Sequence, residues 1–263
     1  MSHETLLALD VGNTQTVVGL FEAERLMHKW RLATVASRTM DEFRISIQQL
    51  LSDAGASFRD LDAIVISSVV PRVTENLMEL GKHATLLLID HSLHYDFSLK
   101  LPLPEQLGAD RLVNAQAAIR RYGAPLIIVD CGTATTFCAI NSRREYLGGA
   151  IAPGIQISTA ALLDRASRLG GVSLVVPDRV IGNTTDGAIL SGVVHGHAAF
   201  IDGMVDRISA ELNEEGTTVV GTGGYFDLLA PVVNRVDHVV PGLTLEGLRI
   251  IYESNRDRAR KST

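Results

Sequence analysis

The stretch that decides the fold is LIIVDCGTATTFCAI, residues 126–140. Four apolar residues lead into Asp130, a Gly-Thr turn follows, and a second apolar run comes after the turn. A continuous apolar run bounded by a Gly-containing turn is typical of a buried strand that reverses at once into another strand. The pattern therefore predicts a β-hairpin with a carboxylate at the tip of its first strand, beside a loop rich in hydroxyl and backbone N–H groups.

The same pattern occurs near the start of the chain, in LLALDVGNTQTVVGL, residues 6–20. Aligned without a gap, the two stretches pair four positions: Asp10 with Asp130, Gly12 with Gly132, Asn13 with Thr133, and Thr16 with Thr136. The two aspartates are 120 residues apart, which is close to the length of one small domain. The repeat predicts a duplicated unit, with two hairpins that face each other across a cleft.

Two such hairpins suit a nucleotide polyphosphate and a cation. Glycine lets the backbone approach a ligand closely, and small hydroxyl residues add donors without bulk. A carboxylate repels bound phosphates, but it becomes useful when a cation lies between them or when it positions a water on that cation. The alternative is a pair of ordinary buried hairpins whose aspartates hydrogen-bond to their own turns. Two matching stretches in one chain favour phosphate binding.

The composition is that of a globular protein and argues against some partners. With 263 residues, 46% hydrophobic and 21% charged, the chain can bury a sizeable core in one large or two modest domains. A net charge of −6 argues against nucleic acid or an anionic membrane as a partner. We find neither an apolar run of membrane-crossing length nor a secretion signal, and we expect a cytoplasmic protein. Cys131 and Cys138 are interpreted as reduced, buried thiols.

The remaining order of elements indicates α/β architecture. A β-meander is followed by alternating helices and strands, including a third strand of the second half that ends near Tyr146, a turn at 148–154, and a helix over 185–212. Gly108-Ala109-Asp110-Arg111 opens another helix. Asp110 could be a helix-start residue favoured by the macrodipole, or a base beside a cation that binds an anionic substrate. Spacing alone leaves both interpretations open.

Seven stretches of the chain resemble one family. They are DVGNT at 10–14, GADR at 108–111, DCGTATTF at 130–137, GGAIAPG at 148–154, GNTTDGA at 182–188, TGG at 222–224 and LTLEGLRIIYESN at 243–255. The set spans almost the whole chain and is specific, although each motif alone is modest. With it, the chain resembles type III pantothenate kinase, of the acetate kinase/sugar kinase/Hsp70/actin superfamily.

This resemblance implies an α/β protein with two ribonuclease-H-like (actin-like ATPase) domains. Each would be a mixed five-stranded sheet flanked by helices, with an ATP cleft between the domains, which we place at residues 1–115 and 116–263. It implies a cytoplasmic, homodimeric phosphotransferase that phosphorylates pantothenate to 4′-phosphopantothenate, the first step of coenzyme A biosynthesis. The cofactors implied are ATP, Mg²⁺ and a monovalent cation, K⁺ or NH₄⁺.

The resemblance also assigns site residues. Asp110 would be the general base, and Asp130 would bind the monovalent cation. The residues implied for ATP binding are Asp10, Val11, Gly12, Asn13, Thr14, Gln15, Thr16, Val17 and Thr133. Those implied for pantothenate are Gly108, Ala109, Asp110, Arg111 and Thr185, with Arg111 reaching the substrate carboxylate. The chain departs from the family at Leu101, where a Tyr is frequent, and at GNTT, 182–185, where a Lys-Asn-Thr run is common.

Two competing hypotheses share the phosphate hairpins. One is another small-molecule kinase of the same superfamily with a different acceptor, which only Asp110, Arg111 and Thr185 would discriminate. The other is a nucleotide-binding regulatory protein that has lost catalysis. A missing base or phosphate loop would favour the second hypothesis, and the sequence retains both.

Overall fold

The structure, a computed structural model, describes residues 4–35, 37–77, 80, 84–165 and 173–259. The chain forms two compact units, each built on one mixed β-sheet. The first takes its described residues from Met1–Asp96, Leu103–Ala117 and Leu243–Thr263, and the second from Phe97–Pro102 and Ala118–Gly242. The predicted boundary between residues 115 and 116 falls inside one helix, and the division into domains stays a prediction.

The sheet of the first unit has five strands, as predicted, in the order β3-β2-β1-β4-β5. They are β1 (Thr5–Val11), β2 (Gln15–Glu22), β3 (Arg25–Ala33), β4 (Ala63–Ser68) and β5 (Thr85–Leu88). The first three form an antiparallel meander, and β4 and β5 add in parallel on the other side of β1. The carboxyl ends of β1 and β4 therefore lie side by side.

Helices cover this sheet because each has an apolar stripe to bury. They are α1 (Met40–Asp53), α2 (Pro71–Leu77), the start of α3 (Ala109–Tyr122), and α7 (Leu243–Ala259). Helix α1 begins with a capping box: the Thr39 N–H donates to Glu42 Oε2 at 2.8 Å, and the Glu42 N–H donates to Thr39 Oγ1 at 3.3 Å. Its Phe43, Ile47 and Leu51 are buried against one face of the sheet.

The second unit has six strands rather than the five we predicted, in the order β11-β10-β7-β8-β9-β6. They are β6 (Ser98–Leu99), β7 (Leu126–Cys131), β8 (Ala134–Ile140), β9 (Glu145–Pro153), β10 (Thr218–Thr222) and β11 (His238–Val239). Strands β6 and β11 have two residues each, too few to show a period. The strand predicted to end near Tyr146 instead begins there, since β9 includes the residues interpreted as a turn.

Among the described residues, the second unit also contains the end of α3 and the helices α4 (Ile155–Arg165), α5 (Thr185–Leu212) and α6 (Phe226–Leu229). Helix α5 has the predicted bounds. By length and composition it could also cross a membrane, which corrects our expectation that no run is long enough. Glycines and histidines interrupt its sequence, so it does not read as one continuous apolar run. In its most apolar window 28% of the residues are buried, and the large apolar side chains of the helix are buried or half-buried.

Candidate active site

The first hairpin carries the predicted ATP-binding residues, from Asp10 to Val17, at the end of β1 and the start of β2. Its loop is closed by a hydrogen bond from the Gly12 N–H to the Gln15 carbonyl at 3.0 Å. The side chains at the tip of the loop are exposed. Buried Thr16 fixes the base of the loop, because its hydroxyl lies 2.8 Å from the hydroxyl of Thr34. The loop is thus anchored at its base while its tip faces solvent.

The second hairpin has the same design but a loop shorter by one residue. Asp10 pairs with Val17 across the first hairpin, whereas Asp130 pairs with Thr136 across the second. The ungapped alignment of Thr16 with Thr136 was therefore wrong. The true counterpart of Thr16 is Thr135, which is equally buried.

Thr135 is anchored by a residue that lies outside the sequence motifs described above. Its hydroxyl lies 2.9 Å from Nε2 of His197 on α5, as the Thr16 hydroxyl is anchored by Thr34. Burial lowers the pKa of His197, which favours the neutral imidazole. A histidine on an apolar helix gave no signal for this role. His197 ties α5 to the strand that follows the second loop.

Asp130 is the penultimate residue of β7 and lies in a close-packed backbone environment. Its parallel neighbour on β10 is Thr222, and Gly223 follows with φ +102°. A Cβ atom on Gly223 would lie 2.4 Å from Asp130 Oδ1. A Cβ on Gly154 would lie 2.4 Å from the Thr133 carbonyl oxygen, which accepts the Gly154 N–H at 3.1 Å. Both glycines thus keep the backbone against the second hairpin, and neither was in our predicted site.

Asp110 lies in the first turn of α3, in a largely buried position. Burial raises the pKa of its carboxyl, and the Arg111 N–H, which donates to Asp110 Oδ1 at 2.9 Å, opposes that rise together with the Arg111 charge. A Cβ on Gly108 would lie 2.5 Å from the same oxygen, so a larger residue there would require the carboxylate to move. A desolvated carboxylate with a raised pKa is suited to accept a proton.

Strand β4 connects the first hairpin to the residues around Asp110 within the first unit. Asp10 and Ser67 are neighbours in the parallel register of β1 and β4. Just beyond β4, Val69 Cγ1 lies 3.6 Å from the Cβ position of Gly108. The predicted phosphate hairpin and the predicted base thus stand on neighbouring elements of one unit. Asp130, Thr133 and Thr185 belong to the second unit.

Thr185 is the first residue of α5 and is exposed. The preceding Thr184 caps the helix, accepting the Gly187 N–H on its hydroxyl at 3.1 Å. Thr185 also lines a groove of about 760 Å³ between α4 and α5, whose other polar side chains are Ser158 and His197. A hydroxyl at this position can donate to or accept from a small polar substrate.

The part of the chain that the structure describes contains neither a cluster of metal ligands nor a reactive thiol. Within it, no group of three or more His, Cys, Asp or Glu side chains could hold a metal ion. Cys131 and Cys138 are buried thiols that are not joined in a disulfide, as predicted. Burial, reinforced by the charge of Asp130, raises the pKa of the Cys131 thiol to about 12, so it stays protonated at neutral pH.

Comparison with known proteins decides the family. A family model described as type III pantothenate kinase matches residues 6–207. The chain belongs to the type III pantothenate kinase family. It is 43% identical to the type III pantothenate kinase of Halalkalibacterium halodurans, over 95% of this chain and 99% of that protein. It is 42% identical to the same enzyme from Geobacillus sp. strain WCH70, over 96% of this chain and 99% of the relative.

Solved structures agree with the fold of this pantothenate kinase family member. A Campylobacter jejuni protein assigned to the Baf family of transcriptional activators has a TM-score of 0.60 and 20% identity, covering 95% of this chain and 99% of that one. A Porphyromonas gingivalis protein assigned as an N-acetylglucosamine kinase has a TM-score of 0.53 and 13% identity, with the same coverage. Component A of (R)-2-hydroxyglutaryl-CoA dehydratase from Acidaminococcus fermentans has a TM-score of 0.54 and 13% identity, covering 97% and 99%. At these identities the likeness concerns the actin-like fold alone.

Proposed function

We propose that Asp110 is the general base in ATP-dependent phosphorylation of pantothenate, the reaction after which the family of this chain is named. The reaction transfers the γ-phosphoryl group of ATP to the primary hydroxyl of pantothenate and begins coenzyme A biosynthesis, which we place in the cytoplasm. The observation that carries the proposal is the buried Asp110 carboxylate, with its raised pKa, at the start of α3 beside Arg111. Strand β4 joins this position to the Asp10 hairpin.

The base need not ionise the alcohol in advance. A primary alcohol is weakly acidic, so Asp110 accepts its proton as phosphoryl transfer proceeds. Arg111 binds the substrate carboxylate, while Gly108, Ala109 and Thr185 hold the remainder of pantothenate. Positioning and neutralisation of charge supply most of the rate in such a transfer. This explains a site built from loops, an arginine and a single base.

Backbone N–H groups and hydroxyls of the two hairpins bind the ATP phosphates in this proposal. They come from Asp10–Val17 and from Thr133. In each of these two loops a glycine N–H closes the turn: Gly12 donates to the Gln15 carbonyl, and Gly132 donates to the Ala134 carbonyl. Asp10 is the carboxylate suited to hold the hydrated Mg²⁺ that neutralises phosphate charge. Asp130 suits a monovalent cation, because its carboxylate lies in a close-packed position, where a Cβ on Gly223 would lie 2.4 Å from one of its oxygens.

The test is ADP release from ATP and Mg²⁺, with and without pantothenate, in K⁺ and again in Na⁺. We expect release that depends on pantothenate and is faster in K⁺. Release that depends on pantothenate but not on the cation would retain the kinase and remove Asp130 from its role. Absence of release from the folded protein, or release with a different alcohol only, would overturn pantothenate as the acceptor.

The exposed apolar groove between α4 and α5 supports a homodimer. Leu162 in this groove is 45% exposed, and nearby Ile157 is 46% exposed. Contiguous exposed apolar surface on a globular protein indicates an interaction surface. We propose that a second copy of the chain covers this groove.

Leu162→Asp is expected to weaken the dimer at least about 30-fold, because a buried charge at the centre of an apolar interface costs about 2 kcal/mol or more. The matched control is Ile45→Asp on α1, where the isoleucine is 69% exposed and outside the groove. Light scattering across a dilution series measures both. A monomeric wild-type protein, or equal weakening by the two variants, would contradict the proposed interface.

A further inference from the structure

Ser67, on β4, is a buried polar residue for which the mechanism above has no use. It has no exposed surface, and its hydroxyl oxygen lacks a hydrogen-bond partner among the residues that the structure describes. A buried hydroxyl without a partner is unfavourable, and folded proteins retain few of them. Alanine would avoid this penalty, as Ala63 does on the same face of the same strand. The stability of the fold therefore does not explain why a hydroxyl is present at this position.

The register places Ser67 directly beside Asp10. The preceding pair, Leu9 and Ile66, lies in the core cluster that α1 covers. Because side chains alternate along strands, Asp10 and Ser67 both face the opposite side of the sheet. Paired strands lie about 4.8 Å apart, so rotation about the Ser67 Cα–Cβ bond can bring its hydroxyl within reach of a neighbouring carboxylate.

Its neighbour Ser68 shows what a structural serine looks like here. The Ser68 hydroxyl accepts the Val70 N–H at 3.2 Å and the Thr74 hydroxyl at 2.7 Å, and so stabilises the start of α2. No such local network includes Ser67. Ser67 lies instead on the strand between the Asp10 hairpin and the Gly108 turn, where β4 joins the two halves of the first unit's site.

We infer that Ser67 is a positioning residue for Asp10 in the nucleotide-bound enzyme. When Asp10 turns one carboxylate oxygen toward the hydrated cation at the phosphates, the Ser67 hydroxyl donates to the other oxygen and holds that rotamer. A hydrogen bond to a carboxylate is stronger than one between neutral groups, and it fixes the direction of the second oxygen. The inference rests on the proposed role of Asp10 in phosphate binding.

The test is a double-mutant cycle of Ser67→Ala and Asp10→Asn, with Ser68→Ala as control. Ser67→Ala is expected to keep or raise Tm, because it removes an unpaired buried hydroxyl. It should lower kcat about tenfold and raise the Mg²⁺ concentration needed for half-maximal rate, with the KM for pantothenate changed less than twofold. In the Asp10→Asn background, Ser67→Ala should have no further effect on kcat. Ser68→Ala should lower Tm and leave kcat near the wild-type value.

Wild-type kcat in Ser67→Ala, or an equal loss in the Asp10→Asn background, would overturn the inference and leave the phosphate hairpin intact. Wild-type turnover in Asp10→Asn itself would overturn the phosphate assignment, and the Ser67 inference with it. A parallel loss of Tm and kcat in Ser67→Ala would show a structural serine, contrary to what we infer.

Discussion

Asp110→Asn is expected to lower turnover at least about 100-fold while ATP still binds. Asparagine keeps the shape of the side chain and can still accept the Arg111 N–H, but it cannot accept a proton from the alcohol. The measurement is kcat for ADP release at saturating pantothenate, with nucleotide affinity measured separately by calorimetry. Near-normal turnover would remove Asp110 from its role. Asp41→Asn is the matched control, since Asp41 is an exposed acid in the first turn of α1.

The raised pKa of Asp110 gives the same variant a second expected result. The folded protein binds this proton more tightly than the unfolded chain, so the buried carboxylate lowers stability as pH rises above the ordinary value of 3.8. That loss is complete above the folded-state pKa. Asp110→Asn removes it, so Tm at pH 7 should equal or exceed that of the wild type. A lower Tm would show that the carboxylate stabilises the fold.

The wild-type enzyme should lose activity in acid at a higher pH than an ordinary aspartate would dictate. Protonated Asp110 cannot act as a base, and burial raises the pKa at which it is protonated. The acid limb of kcat/KM against pH reports this pKa in the free enzyme. An acid limb at or below pH 3.8 would contradict the burial effect.

The two hairpins were predictable because their signals are local. An apolar run, a glycine turn and a second apolar run specify both strands, and the spacing of Thr39 and Glu42 specifies the start of α1. The lengths of the two hairpin loops were harder to predict. Both loops contain glycine and hydroxyl residues, so nothing in the sequence shows that the second loop is one residue shorter. Only the pairing of Asp130 with Thr136 reveals it.

The third strand of the second half, β9, was placed too early in the chain because its glycines signal a turn. Gly148 has φ +127°, and a Cβ on Gly149 would lie 1.7 Å from the Phe137 carbonyl oxygen. These glycines allow a close approach of β8 and β9 beside a β-bulge, which glycine inside a strand often marks. The requirement comes from a neighbouring strand, so it does not appear in the period of β9 itself.

The long-range contacts of the site also escaped prediction, because they depend on strands that are distant in the sequence. The TGG motif at 222–224 is typical of a tight turn. It gave no sign that Gly223 lies against Asp130, which is distant in sequence. The parallel pairing of β7 with β10 creates that contact. The motif thus indicated a glycine turn, and only the fold shows that Asp130 lies beside it.

This contact leads to the second large effect that we expect: Gly223→Ala should abolish K⁺ activation, as Asp130→Ala should. A methyl group on Gly223 would lie 2.4 Å from Asp130 Oδ1 and 2.6 Å from backbone atoms of Cys131, so the carboxylate and its strand must shift. A shift of about 1 Å at a catalytic group can lower the rate about 100-fold. The measurement is the ratio of kcat in K⁺ to kcat in Na⁺, which we expect to fall to one in both variants.

Gly224→Ala is the control, because a Cβ on Gly224 meets nothing within 4 Å. It should retain K⁺ activation. The left-handed φ of Gly223 also makes alanine there unfavourable by about 1–2 kcal/mol, so Tm is measured in parallel. Asp130→Asn separates the two effects, since it removes the charge that attracts the cation without strain at position 223. If Asp130→Asn and Asp130→Ala both keep K⁺ activation, the cation binds elsewhere, and the close contact of Gly223 serves only the packing of the loop.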